Sequence, residues 1–109
     1  MAYVPNRGEA VWLHFSPQAG HEQTGHRLAL VLSPRKYNKI TGLMLCCPLT
    51  TAIKGYPFEV STLIGGKPGV VLADQVKNLD WRARRAKKAG VVDDEVMDEV
   101  LAKLATLLD

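Results

Sequence analysis

Alternation of apolar and polar residues marks the first element. In residues 9–16, EAVWLHFS, the side chains of Val11, Leu13 and Phe15 fall on one face, and Trp12, His14 and Ser16 on the other. That period of two predicts a half-buried strand. Residues 16–26, SPQAGHEQTGH, have no period and contain Pro17, Gly20 and Gly25, which predicts a long surface loop. Residues 27–33, RLALVLS, are almost continuously apolar and read as a central strand that Pro34 stops. A polar stretch, RKYNKITG, predicts one helical turn and a chain reversal at Gly42. LMLCCPLT (43–50) is a third buried strand, TAIKGYP a loop, FEV a short strand, LIGGKPG a Gly/Pro turn, and Val70–Ala73 another strand. The basic segment WRARRAKKAGVV (81–92) predicts a further strand pair or an edge.

The end of the chain switches to a helical period. With Val96 at zero and about 100° per residue, Val96, Met97, Val100, Leu101, Leu104, Leu107 and Leu108 share an arc of about 140°. Asp98, Glu99, Lys103, Thr106 and Asp109 fall outside it. Asp93 is placed to cap this helix, and Asp94 and Glu95 suit its positive N-terminal end. Packing one face on a β core explains the pattern without any ligand. The connections are short and no βαβ alternation occurs, so the predicted fold is mainly β with a C-terminal helix (α+β). A small SH3-like barrel of antiparallel strands is the expected architecture.

Composition narrows the class. At 109 residues the chain suits a single domain, 1–109. Its 47% hydrophobic and 23% charged content is that of a folded soluble protein, against disordered or fibrous classes. No apolar run approaches the roughly 18 residues that a membrane helix needs, and MAYVPNRGEA lacks the charged-then-apolar pattern of a secretory signal. The expected location is therefore cytoplasmic, with no membrane partner. Cys46 and Cys47 are adjacent, so on a strand they point to opposite faces and are poorly placed to bridge. They read as buried thiols in a reducing compartment.

Charge distribution says more than the net +3. Residues 1–92 hold 13 Lys and Arg against 5 Asp and Glu, a surplus of +8, whereas residues 93–109 hold one lysine against six acids, or −5. A basic body attracts polyanions, with nucleic acid the obvious one.

Several chemistries lack their signatures. There is no GxGxxG or GxxxxGK[ST], no HExxH, and His14, His21 and His26 lack metal-ligand spacing. No cofactor and no metal are expected. What remains is a polar loop, HEQTGHR, running into a buried strand. If the second and third strands form a hairpin, the start of one neighbours the end of the other, which brings Arg27 beside Thr50 with Glu22 on the loop above. A guanidinium, a hydroxyl and a carboxylate at one basic rim suit phosphoryl chemistry. The plainer alternative is a solvated loop with a Glu22–Arg27 ion pair and a strand-end threonine.

The motifs tip this balance. Gly8, Glu9, Val11 and Trp12 resemble the G-[DE]-hydrophobic-W-hydrophobic opening of the MazF/PemK toxin endoribonucleases. EQTGHR (22–27) is similar to that family's E-Q-x-G-x-R-P, and VLSP (31–34), Tyr37, Asn38, Thr41 and Gly42 continue the likeness. CPLTT (47–51), KGYPFEV (54–60) and LADQVKNLDWRAR (72–84) follow in order over nearly the whole chain. The resemblance is greatest to the chromosomal MazF branch.

The resemblance implies a plasmid-maintenance-toxin barrel that forms homodimers. It implies the toxin of a type II toxin–antitoxin system, a sequence-specific, metal-independent endoribonuclease that cuts single-stranded messenger RNA. The products would be a 2′,3′-cyclic phosphate and a 5′-hydroxyl. The protein partner would be a MazE-like antitoxin that lays an acidic segment along the RNA groove. By motif match Arg27 and Thr50 are catalytic, with Glu22 as acid/base or positioning group. Phe15, Gln23, His26, Lys54, Gln75, Lys77 and Arg84 would contact RNA. Ordinary roles compete at each position: core packing for Phe15, rim packing for His26, a backbone bond for Thr50, a solvated basic face around Arg84. One departure from the family pattern is Leu28, where proline usually follows the arginine. Leucine frees φ and restores an N–H, which loosens the expected hold on Arg27. A different class, a non-catalytic CcdB-like toxin acting by protein contact, uses the same barrel; the Glu22–Arg27–Thr50 set favours the nuclease.

Overall fold

The computed structural model describes residues 3–15 and 25–109, with the Phe15 side chain also outside the description. The elements are β1 (Glu9–Phe15), β2 (Gly25–Val31), α1 (Arg35–Thr41), β3 (Leu43–Thr50), β4 (Glu59–Ile64), β5 (Lys67–Leu72), β6 (Lys77–Asp80), β7 (Lys87–Val91) and α2 (Asp94–Thr106). The seven strands form one sheet in the order β4-β5-β3-β2-β1-β7, with β6 paired to β3. Every pairing is antiparallel.

β3 is the hinge of this sheet. One edge pairs with β2 from Cys46 to Leu49. The other edge pairs with β6 along Leu43–Cys46 and with β5 at Leu49 and Thr50. Two strands therefore fork from one edge, and the sheet curves into a half barrel. Side chains alternate across it, so its two faces carry two cores. Leu30, Cys47, Leu49, Val60 and Val71 pack with Met97 and Val100 of α2 on one face. Val11, Leu13, Ala29, Val31, Met44 and Cys46 pack with Trp81 on the other. Each fully buried aliphatic side chain contributes about 1.5–3 kcal/mol.

Several boundaries differ from the sequence expectation. The LIGGKPG stretch is a hairpin: Leu63, Ile64 and Lys67–Gly69 lie in strands, and only Gly65 and Gly66 turn, at φ +56° and +82°. Two consecutive positive φ values match the right-handed twist of the flanking strands, and glycine adopts them without strain. α1 is longer than one turn and ends at Gly42 in the left-handed region. β6 has no counterpart in the sequence reading, because KNLD is too short to show a period. Asp93 stands at the N-cap of α2, yet its side chain makes no capping bond; its carbonyl accepts the Val96 and Met97 amides. Leu107 and Leu108, inside the predicted apolar arc, are 50% and 77% exposed because α2 ends at Thr106.

A buried polar knot aligns the parts that shape the site. Asn38 is fully buried. Its Nδ2 donates to the carbonyls of Pro5 (2.9 Å) and Ser33 (3.0 Å), and its Oδ1 accepts the Ser33 hydroxyl at 2.6 Å. Ser33 Oγ in turn accepts the Leu45 amide at 2.9 Å. Trp81 Nε1 donates to the Asn38 carbonyl at 2.8 Å. These bonds tie the N-terminal segment, α1, β3 and the Trp81 turn into one unit. A second knot surrounds buried Glu9, which accepts the Tyr3 hydroxyl and pairs with Arg35 (3.5 Å) and Lys88 (3.6 Å). Burial, and the bond to Glu9, hold the Tyr3 phenol above its usual pKa.

Candidate functional site

Arg27 lies in β2, opposite Leu13 of β1. The β2–β3 register pairs Leu28 with Leu49, and one further step sets Arg27 across from Thr50. The antiparallel pairing expected from the sequence holds, although α1 (Arg35–Thr41) and not a tight turn joins the two strands, and both residues line a groove of about 700 Å³. Leu28 is paired on both sides, with Trp12 and Leu49. Two ladders restrain the residue beside Arg27 where the family pattern relies on proline.

Thr50 Oγ1 accepts the Ala52 amide at 3.1 Å, a local turn that begins the loop after β3. An accepting hydroxyl keeps its own proton to donate, so this bond and a phosphate contact are compatible. Glu59 shapes the same loop. Its two carboxylate oxygens accept the amides of Lys54 (3.0 Å) and Gly55 (2.8 Å), which fixes the chain where it carries Lys54. Gly55, at φ +83°, supplies the positive φ that this tight carboxylate-bound turn needs.

The far wall comes from the turn after β6. The Arg84 amide donates to the Asp80 carbonyl (3.2 Å), and the Ala83 amide to the Asp80 carboxylate (2.9 Å). The Arg84 carbonyl accepts the His14 amide at 2.7 Å, tying the turn to β1. Arg82 stacks on Trp81 at 4.8 Å and donates to the Lys39 carbonyl. It is a structural cation, unlike Arg84, which lines the groove.

His26, Lys54, Gln75, Lys77 and Arg84 all border this groove with Arg27 and Thr50. Glu22 and Gln23 lie outside the described residues, as does the Phe15 side chain. The sequence reading missed Trp12, Tyr56 and Glu59, which also line it. The YPFE context of the loop carried the only available signal for the last two. Four cations against one carboxylate among these named residues make the groove electropositive. It follows the β1–β2 hairpin round both faces, so Leu13 and Arg27 reach it from one side and Trp12 and His26 from the other.

Cys46 belongs to the groove floor, on the β3 residue opposite Lys77. Burial pushes its thiol up to about 11, against the opposing pull of Lys77 and Arg84, and pushes Cys47 up to about 12. Both thiols are free, buried and neutral at physiological pH. Their stabilising contribution is complete below about pH 9, the ordinary thiol value, and is lost as pH rises through about 11 and 12. At pH 8 iodoacetamide should leave the native chain unlabelled and add to both thiols in guanidinium, as mass spectrometry would count. Fast labelling of the native chain would contradict this account of the floor. Among the described residues no group of three or more His, Cys, Asp or Glu is placed to hold a metal, and no helix is long and apolar enough to cross a membrane.

Residues 6–108 match the family described as PemK-like, MazF-like toxins of type II toxin–antitoxin systems. The chain is 51% identical over 106 residues to the endoribonuclease toxin MazF of Escherichia coli K12, covering 97% of this chain and 96% of that one. It is 38% identical to the endoribonuclease toxin ChpB of the same strain, with 94% and 93% covered. A crystal structure of MazE–MazF from Deinococcus radiodurans superposes with a TM-score of 0.90 at 56% identity, over 98% of this chain and 97% of that one. The fold, the groove and these likenesses agree, and the chain belongs to the PemK/MazF family of type II toxin–antitoxin toxins.

Proposed function

We propose that this toxin is an endoribonuclease whose groove takes single-stranded RNA and cuts it through the RNA's own 2′-hydroxyl. The observation that carries the reading is Arg27 and Thr50, each one residue beyond the Leu28–Leu49 pair, lining one groove bordered by Lys54, Lys77 and Arg84. The cations pair with successive phosphates. Arg27 grips the scissile phosphate with two donors and stabilises the added charge of the phosphorane. Thr50 donates to a phosphate oxygen, and Glu22 serves the proton traffic. Gln23, His26 and Gln75 offer hydrogen bonds to bases, and Phe15 a stacking face. No step needs a metal. The chain acts in the cytoplasm, where messages are exposed.

Relatives whose structures pair MazF with MazE support a MazE-like antitoxin as partner. An acidic antitoxin segment matches the charge of this groove, and a homodimer extends the surface available to it. The direct test is incubation with mixed RNA in excess EDTA. Cleavage should persist, with cyclic phosphate at the 3′ ends and hydroxyl at the 5′ ends. Activity that disappears with EDTA and returns with magnesium overturns the mechanism; intact RNA under every condition favours a toxin that works by protein contact.

Salt dependence reports the phosphate contacts. Log affinity for single-stranded RNA should fall with log salt by about 0.7 per contact. Arg84→Ala should flatten that slope by one contact's share, and an unchanged slope would remove Arg84 from the interface.

A further inference from the structure

His14 and His26 are twelve residues apart in sequence, and strand register makes them direct neighbours. They form a facing pair of the β1–β2 ladder, whose Cβ atoms stand about 4.5–5.5 Å apart in such pairs. Their rings meet edge to face, with centroids 5.3 Å apart and planes at 64°. Two imidazoles on one tetrahedral cation, at about 2.0–2.1 Å per metal–nitrogen bond, have centroids about 5.1 Å apart. The separation is that of a chelating pair, and a turn of one ring about its Cβ–Cγ bond brings both in-plane lone pairs to one cation. Among the described residues no side chain hydrogen-bonds the ring nitrogens of either histidine, and His14 is half-buried while His26 is exposed. Lone pairs and an entry path are both present. Arg27, the nearest cation in sequence, belongs to the opposite face of the strand, as its pairing with Leu13 shows.

We propose that His14 and His26 form a two-histidine site for a divalent transition cation of the zinc, nickel or copper type, with water completing the coordination. Neutral imidazole suits these cations, whereas Mg²⁺ prefers oxygen donors and does not compete. The cation joins β1 to β2 at the end of the hairpin. It sits one residue from Arg27, on a histidine whose amide holds the Arg84 carbonyl, so loading stiffens the groove rim from outside the chemistry. Cleavage does not use this cation. The site goes beyond the RNA reading and stands whether or not that reading does.

The test titrates ZnCl₂, then NiCl₂, into the metal-stripped full chain carrying ¹⁵N-labelled histidine. Calorimetry should give one cation per chain, and the ring nitrogens of His14 and His26 should shift together. His14→Asn should weaken zinc binding about tenfold or more by removing one of two ligands. Millimolar Mg²⁺ should leave the wild-type titration unchanged. Zinc should raise the midpoint of thermal unfolding for the wild type and not for His14→Asn, because a ligand bound only by the native state stabilises it. A shift confined to His21 or to one of the pair, no binding, or unchanged affinity in His14→Asn overturns the proposal. If His14→Asn does not fold, the ring-nitrogen titration of the unaltered chain decides alone.

Discussion

Arg27→Ala should lower the turnover of RNA cleavage by about 10²–10³-fold, the range for removing a preorganised donor from a developing charge. RNA affinity should fall far less. Lys54, Lys77 and Arg84 remain along the groove to hold phosphates, and the gain from Arg27 is greatest when the phosphorane carries its extra charge. Arg27→Lys should restore only part of the rate: an ammonium supplies charge without the two parallel donors that match two phosphate oxygens. Single-turnover rates and affinity for an uncleavable strand separate the two effects. An Arg27→Ala chain that binds weakly and cuts at the normal single-turnover rate would make Arg27 a binding residue only.

A single 2′-deoxy nucleotide on the 5′ side of the scissile phosphate should abolish cleavage while leaving binding within a few-fold of normal. The 2′-hydroxyl is tethered beside the phosphorus, and tethering alone is worth effective molarities of about 10⁵–10⁸ M. Removing that oxygen removes the nucleophile and leaves every phosphate contact in place. The deoxy strand is then a competitive inhibitor, measurable against the all-ribose strand. Cleavage of the deoxy strand at the normal rate would show that water or a side chain attacks, and the assignments of Arg27, Thr50 and Glu22 would need rebuilding around that nucleophile.

These predictions draw on parts of the molecule that were unequally visible beforehand. Arg27 and Thr50 were legible together because two apolar strands close in sequence pair antiparallel, which sets the start of one beside the end of the other, even with α1 between them. Lys77 and Arg84 were legible only through family resemblance. No local pattern says that a four-residue strand folds back on β3 and brings the next turn against β1. Glu59 was invisible as a loop clamp, because a carboxylate that binds two amides four and five residues earlier looks like any surface acid until the loop has closed. The His14–His26 pair shows the same limit. Metal-site reasoning from sequence relies on short spacings along one element, and this pair is made by register between two.

The amino-acid pattern by itself determined the class. Period-two and continuous apolar runs specify β1, β2 and β3, and an apolar stripe at helical spacing specifies α2, because burying those faces is the main stabilising term available to a chain of 109 residues. It also determined that the thiols of Cys46 and Cys47 would not bridge, since adjacent strand residues point apart. Tertiary structure decided the rest. The fork at β3 sets the curvature of the sheet and with it the groove. The Asn38 knot places Trp81, and through it the turn that carries Arg84. The end of α2 at Thr106 leaves Leu107 and Leu108 outside the core. Local propensity is read over a few residues, whereas these features depend on which distant strands share an edge, and only the closed sheet specifies that.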